Sequence, residues 1–243
     1  MTARTKYLVV LFACLALVAS GCGSSNGAGG SAKPSAKSSA TVAPTPSATS
    51  SAPAKSGACS YLKSVQPPAR NVKFPSAKPT RTGKVKVSIG TNFGNMTAAL
   101  DAKNAPCAVN AFLSLAKQGY YDKTTCHRIS VNANPPFHIL QCGDPTATGS
   151  GGPGYQYAEE LTGKETYPAG TLAMAKTQAP SSTGAQFFVN FDDTQLPPQY
   201  TVLGRLTPAG LKVVKKASAA ALKGKPAAYD GAPATRVNLT TVK

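Results

Sequence analysis

Gly184-Ala185-Gln186-Phe187-Phe188-Val189-Asn190-Phe191 is the stretch on which the reading of this chain turns. Ala185–Phe191 reads as a short strand, and side chains alternate between the two faces of a strand. Phe187 then points into a core and Phe188 to the opposite face. Two upstream segments belong with it: Cys126-His127-Arg128 and Leu140-Gln141-Cys142-Gly143-Asp144. Each is weak alone. Their order and spacing carry the information.

Outward from these segments the chain alternates short strands with two helices. Lys84–Ile89 (Lys-Val-Lys-Val-Ser-Ile) is a period-two strand with Val85, Val87 and Ile89 inward. Thr91–Gly94 makes a turn, and Met96–Leu100 begins a second strand. Pro106–Lys117 has a helical apolar face of Val109, Phe112, Leu113, Leu115 and Ala116. Pro106 suits the first turn and Gly119 the stop. Strands are expected at Thr125–Val131, Ile139–Gly143, Gly170–Lys176, Ala185–Phe191, Tyr200–Leu206 and Val237–Val242. Pro208–Ala221 reads as the second helix. The fold class is mainly β, a closed antiparallel β-barrel capped by two α-helices. Composition alone leaves a β-sandwich equally open. About 160 residues suffice for one good core.

The N-terminus reads as an export signal. Arg4 and Lys6 precede an apolar run from Tyr7 to Val18, shorter than the ~20 residues that span a bilayer. Ala19-Ser20-Gly21-Cys22 follows, resembling the box where a bacterial lipoprotein is cleaved and its cysteine lipidated. Residues 1–21 are therefore expected to be a lipoprotein signal peptide and Cys22 the lipid-bearing residue. An ordinary secreted protein with a chance cysteine is the plainer alternative. Residues 22–56 are almost wholly Gly, Ser, Ala, Thr and Pro, which cannot bury enough apolar surface to order; they read as a disordered tether. An extension, 57–81, leads into the main domain, 82–243. The expected location is extracytoplasmic, anchored to the outer face of the cell membrane.

Charge is uneven along the chain. Residues 1–100 carry +12 with no Asp or Glu, and residues 101–243 carry +5, within a total of +17. A basic tether suits an anionic lipid or wall-polymer surface. Nucleic acid is not expected as a partner, since export removes access and no basic-aromatic recognition motif stands out.

Removing Cys14 with the signal and Cys22 by lipidation leaves Cys59, Cys107, Cys126 and Cys142. An even number in an exported chain favours disulfides, and four cysteines allow three pairings. With only two histidines, His127 and His138, and no C-x-x-C, no metal site is expected.

Over roughly residues 82–241 the three segments resemble the core of a cyclophilin-type peptidyl-prolyl isomerase. The resemblance implies rotation of X–Pro bonds in proline-containing polypeptides, with no cofactor, by a protein expected to be a monomer. It assigns catalytic roles to Arg128, Gln141, Phe188 and Tyr200. Arg128 is the arginine that stabilises the twisted amide, Gln141 bonds the substrate backbone and orients Arg128, and Phe188 floors the proline pocket. Tyr200 stands where many members have His. Ile139 and Leu196 match pocket positions, Gln186 a substrate-binding position, and Ala175-Lys176 the pair that binds the backbone before proline. Here Lys176 replaces Asn. His127 is expected to point away from the groove as a structural, hydrogen-bonding residue, with Asp144 and Asn190 bracing the site. The fold further implies disulfides Cys126–Cys142, on neighbouring strands, and Cys59–Cys107, pinning the extension.

Departures from the family pattern are local. His138 falls where a pocket Phe is usual, beside the insert Val131–Phe137; a one-residue shift puts Phe137 there, so either lines the pocket. Gln195 replaces a Trp that contacts cyclosporin, implying weak binding of that inhibitor. The loop Lys176–Gly184 is about one residue longer than usual. A noncatalytic proline-binding or chaperone module on the same fold is the main rival, and a wall- or lipid-binding adhesin is another. A hydrolase finds no support in any Ser/His/Asp or metal constellation.

Overall fold

The computed structural model describes residues 57–243. The expected signal peptide 1–21, Cys22 and the expected tether 22–56 lie outside the described residues. Among the described residues fourteen elements run in chain order: β1 Leu62–Lys63, β2 Lys84–Thr91, β3 Gly94–Asp101, α1 Pro106–Lys117, β4 Thr124–Thr125, β5 Arg128–Ala133, β6 Pro136–Cys142, β7 Tyr155–Gln156, β8 Thr171–Met174, β9 Phe187–Asn190, β10 Val202–Leu206, α2 Pro208–Ala221, β11 Tyr229–Gly231 and β12 Asn238–Val242.

Ten strands form one antiparallel sheet in the order β11-β5-β6-β9-β8-β10-β3-β2-β12-β4. The sheet curls into a half-barrel. One segment serves both of its ends, since Thr124 and Thr125 pair with β12 while Arg128–Ala133 pair with β6 and β11. Between them Cys126 N–H donates to Val237 O. The expected closed barrel is thus met as a curled sheet whose ladder has two ends, β11 and β4. The expected strand Thr125–Val131 is split at Cys126-His127, and the strands on both sides of the insert run on into it, to Ala133 and from Pro136. β5 and β6 form one hairpin turning at Asn134-Pro135, with Ala133 opposite Pro136.

The two faces of the sheet bury different things. Val87, Ile89, Ile129, Leu140, Leu172, Phe187 and Val189 point into the main core, against Val109, Phe112 and Leu115 of α1. The helix ends explain themselves locally. Thr207 Oγ1 accepts from Gly210 N at 3.1 Å at the start of α2. α1 has no side-chain cap of its own at Ala105. Glu160 supplies one from outside the helix, accepting from Cys107 N at 3.0 Å and Ala108 N at 2.8 Å, which satisfies orphan donors of the first turn.

The extension is built into the folded body. Disulfide Cys59–Cys107 ties it to α1, and Cys126–Cys142 is also formed, the pairing the resemblance implied. β1 pairs with β7, Leu62 opposite Gln156. Arg70 Nη1 donates to the carbonyls of Gly119, Tyr120 and Asp122 at 3.0, 3.0 and 2.8 Å, at the C-terminal side of α1 where a cation is favoured. Tyr61 packs edge-on against Tyr155 and Tyr157.

Candidate active site

Alternation along the strands gathers a second apolar cluster on the face away from the main core. Ile139, Tyr167, Ala173 and Phe188 form a second buried cluster, with Phe137, Ala175, Leu196, Tyr200 and Val202 partly buried around it. Phe187 and Phe188 go to opposite faces, as expected for neighbours on a strand. Tyr200 meets Phe188 edge-on at 5.6 Å. Tyr167 holds Tyr200 in place: its hydroxyl donates to Tyr200 O and accepts from Tyr200 N, both at 3.0 Å. Burial pushes the Tyr167 hydroxyl up to about 12, so it stays protonated.

Arg128 sits at the rim, opposite Gln141 across the β5–β6 ladder, with its guanidinium 6.0 Å from the Phe137 ring centre. Its plane is fixed on two sides. Nη1 donates to Gln141 Oε1 at 3.1 Å. Nε and Nη2 donate to the two Asp230 carboxylate oxygens at 2.6 and 2.8 Å, the bidentate geometry that suits a guanidinium. One N–H on each terminal nitrogen stays uncommitted. The hydrogen bonds from Arg128 hold the Asp230 carboxyl below its ordinary value, and Asp230 raises Arg128 in turn. The pair keeps its charges across neutral pH.

The network continues inward. Gln141 Nε2 donates to Gln186 Oε1 at 2.9 Å, and Gln186 Nε2 donates to Gly149 O and Gly151 O at 2.9 and 3.0 Å. Gly143 makes this approach possible. Its φ is +95°, and a Cβ there would lie 2.6 Å from Ala185 O and 2.9 Å from Gln186 Cα, distances only glycine avoids.

Asp144 organises the loop that carries those carbonyls. Fully buried, it accepts from the N–H groups of Thr146, Thr148, Gly149 and Gly151 and from the hydroxyls of Thr146 and Thr148. Burial pushes its carboxyl up, but these hydrogen bonds outweigh it and leave the pKa below the ordinary value. A depressed acid stabilises the fold above its unfolded pKa, about 3.9, and that contribution is lost as pH falls through the folded pKa. Asp144→Asn is expected to cost about 2–3 kcal/mol at pH 7. Urea unfolding should show the gap to the parent narrowing below about pH 4.

The sequence profile of the family described as cyclophilin type peptidyl-prolyl cis-trans isomerase/CLD matches residues 85–243. The chain belongs to the cyclophilin family. It is 41% identical over 198 residues to a probable peptidyl-prolyl cis-trans isomerase B of Mycobacterium tuberculosis, covering 76% of this chain and 63% of that one. A protein of the same description from Mycobacterium leprae is 38% identical over 199 residues, with 76% and 66% covered. The chain thus spans less than two thirds of the length of these relatives. Among solved structures, a Cryptosporidium parvum cyclophilin type isomerase, crystallised in the presence of the dipeptide Ala-Pro, superposes with a TM-score of 0.54. That match is 29% identical and covers 65% of this chain and 97% of that one.

Of the residues singled out in the sequence of this cyclophilin, Arg128, Gln141, Phe188, Tyr200, Phe137, Ile139, Ala175 and Leu196 converge on this apolar cluster and its edge. Gln186 and Lys176 line an adjoining groove, where Lys176 Nζ donates to Thr177 O at 3.0 Å. His138 does not reach the pocket. It alternates with Phe137 on β6, and its ring turns to Phe191 while Nδ1 meets Asp193 O at 2.7 Å. The choice between Phe137 and His138 falls to Phe137. His127 has both ring nitrogens buried, and that burial lowers its pKa while a side-chain hydrogen bond with Gln186 acts in the opposite direction. Sequence reading missed Asp230 and Tyr167. Asp230 lies 102 residues from Arg128, and its signal was only that a half-buried arginine needs an acid. Asn190 Nδ2 donates to Tyr167 O at 2.8 Å, bracing that side of the pocket.

Proposed function

We propose that this protein is a peptidyl-prolyl cis-trans isomerase acting on X–Pro bonds of exported polypeptides. The observation that carries this reading is Arg128, fixed by Gln141 and Asp230 at the rim of an apolar pocket floored by Phe188. Rotation about an X–Pro bond passes through a twisted amide that has lost its partial double bond, at a barrier of about 18–20 kcal/mol. Twisting frees the nitrogen lone pair. The uncommitted N–H groups of Arg128 are placed to donate to it, favouring the twisted state over the planar one. Phe188, Phe137, Ile139 and Leu196 hold the proline ring, and Tyr200 presents its hydroxyl to a substrate carbonyl. No covalent bond is made or broken, so the chemistry calls for no cofactor.

The names of the mycobacterial relatives and the Ala-Pro used with the Cryptosporidium protein support a proline-containing polypeptide as substrate. The basic and apolar start of the chain and Ala19-Ser20-Gly21-Cys22 support a lipoprotein anchored through Cys22 on the outer face of the membrane. Residues 22–56 serve as tether and 82–243 as the isomerase domain.

A noncatalytic proline binder would draw support from an altered pocket at His138 and Gln195; Phe137, not His138, packs on the apolar cluster, which weakens the first ground and leaves Gln195 as the second. Refolding of a protein with a proline-limited slow phase separates the two readings. Substoichiometric amounts of an isomerase accelerate the phase, whereas a binder leaves its rate unchanged or slows it.

A further inference from the structure

The extension does more than brace the fold. A groove of about 490 Å³ runs beside the proline pocket, walled by the loops around Gly149–Gly154 and Ala175–Ser182. Ser64, Val65, Gln66 and Pro67 add a further stretch of wall. These four residues precede the segment that matches the family, which begins at 85. They are held firmly against the body. Ser64 N donates to Gly154 O at 2.9 Å and Ala69 N to Gly152 O at 2.8 Å, with β1 paired to β7 just upstream and Cys59–Cys107 behind it. Yet the apolar side chain of Val65 is fully exposed and Leu62 is more than half exposed. Neither side chain is held there by packing among the described residues.

The groove and the apolar cluster around Phe188 share residues at their border. Gln141 bonds Arg128 and also lines the groove, and Ala175 packs on the pocket cluster and lines the groove as well. A polypeptide with its proline on Phe188 therefore leads its neighbouring residues past Gln141 and Ala175 towards Val65. We propose that Ser64–Pro67 forms an added substrate-binding wall, with Val65 contacting an apolar side chain two or three residues ahead of the proline. Among the described residues Lys176 is the one charged residue lining the groove, so a neutral or acidic segment suits it better than a basic one. The proposal rests on the isomerase reading for the direction of the bound chain.

The test uses two proline peptides and the full chain. One is acetyl-Ala-Pro-amide; the other adds two leucines before the alanine. Binding is followed by NMR shifts at Ser64–Gln66 and turnover by cis–trans exchange. The leucine peptide is expected to shift the Val65 signals and to show a KM about three- to tenfold below the short one, the scale of one partly buried aliphatic contact. Val65→Asp should raise KM for the leucine peptide by that factor, leave kcat unchanged and leave the short peptide unaffected. Val65→Leu should restore the preference. Equal KM for both peptides, or a Val65→Asp effect shared by both, overturns the proposal while the isomerase reading stands. Selective binding of the leucine peptide at Val65 without any turnover upholds the wall and overturns the isomerase reading.

Discussion

Arg128→Ala is expected to lower kcat/KM for X–Pro exchange by roughly 10²–10³-fold, the scale seen when a preorganised donor is removed from a developing charge. Stability should barely change. Arg128 and Asp230 are both more than a third exposed on their side chains, and ion pairs of that exposure contribute about 1 kcal/mol or less. Peptide affinity should fall little, because Phe188, Phe137, Ile139 and Leu196 still hold the proline. Arg128→Lys should recover only part of the rate. An ammonium keeps the charge but cannot span Gln141 and both Asp230 oxygens in one plane. Paired kinetics and titrations of the three proteins check this: kcat should move by decades and the peptide Kd by less than one.

Replacing Cys59 and Cys107 together by Ser is expected to produce the opposite profile. The bond closes a loop with a sequence separation of 48, which in the chain-entropy view stabilises by about 4 kcal/mol. At about 2–4 °C per kcal/mol for a body of this size, Tm should fall by roughly 8–15 °C. The extension should stay docked at 25 °C, since Arg70 still caps the turn after α1 and Tyr61 still donates to Cys107 O at 2.9 Å. Isomerase kcat on a short peptide should therefore remain within about twofold of the parent, because none of the pocket residues touches the bond. Thermal unfolding with and without reductant, alongside the exchange assay, separates the two effects.

Much of this arrangement is legible along the chain because it follows from local periodicity. Val87 and Ile89 alternate inward on β2, Phe187 and Phe188 split between the faces of β9, and α1 and α2 begin at Pro106 and Pro208. The same alternation would have decided the pocket between Phe137 and His138. Gln141 faces Arg128, so Ile139 and Phe137 share its side of β6 and His138 cannot. What stays hidden is long-range. Glu160 caps a helix 52 and 53 residues upstream, and Asp230 meets Arg128 through β11, a three-residue strand with no pattern of its own. Short bridges such as β1 with β7 carry too few residues to show a period at all. Partners of this kind are fixed by the curl of the sheet, which no window of sequence contains.

The most direct measurement is two-dimensional exchange NMR on a peptide containing Ala-Pro, with the protein at a few per cent of the peptide concentration. Uncatalysed exchange takes on the order of 10–100 s and gives no cross-peaks at sub-second mixing times. Cross-peaks between the cis and trans signals at those times, absent with Arg128→Ala, are the expected result. Shifted peptide resonances that prove binding to the folded protein, with no cross-peaks at any mixing time, would contradict it.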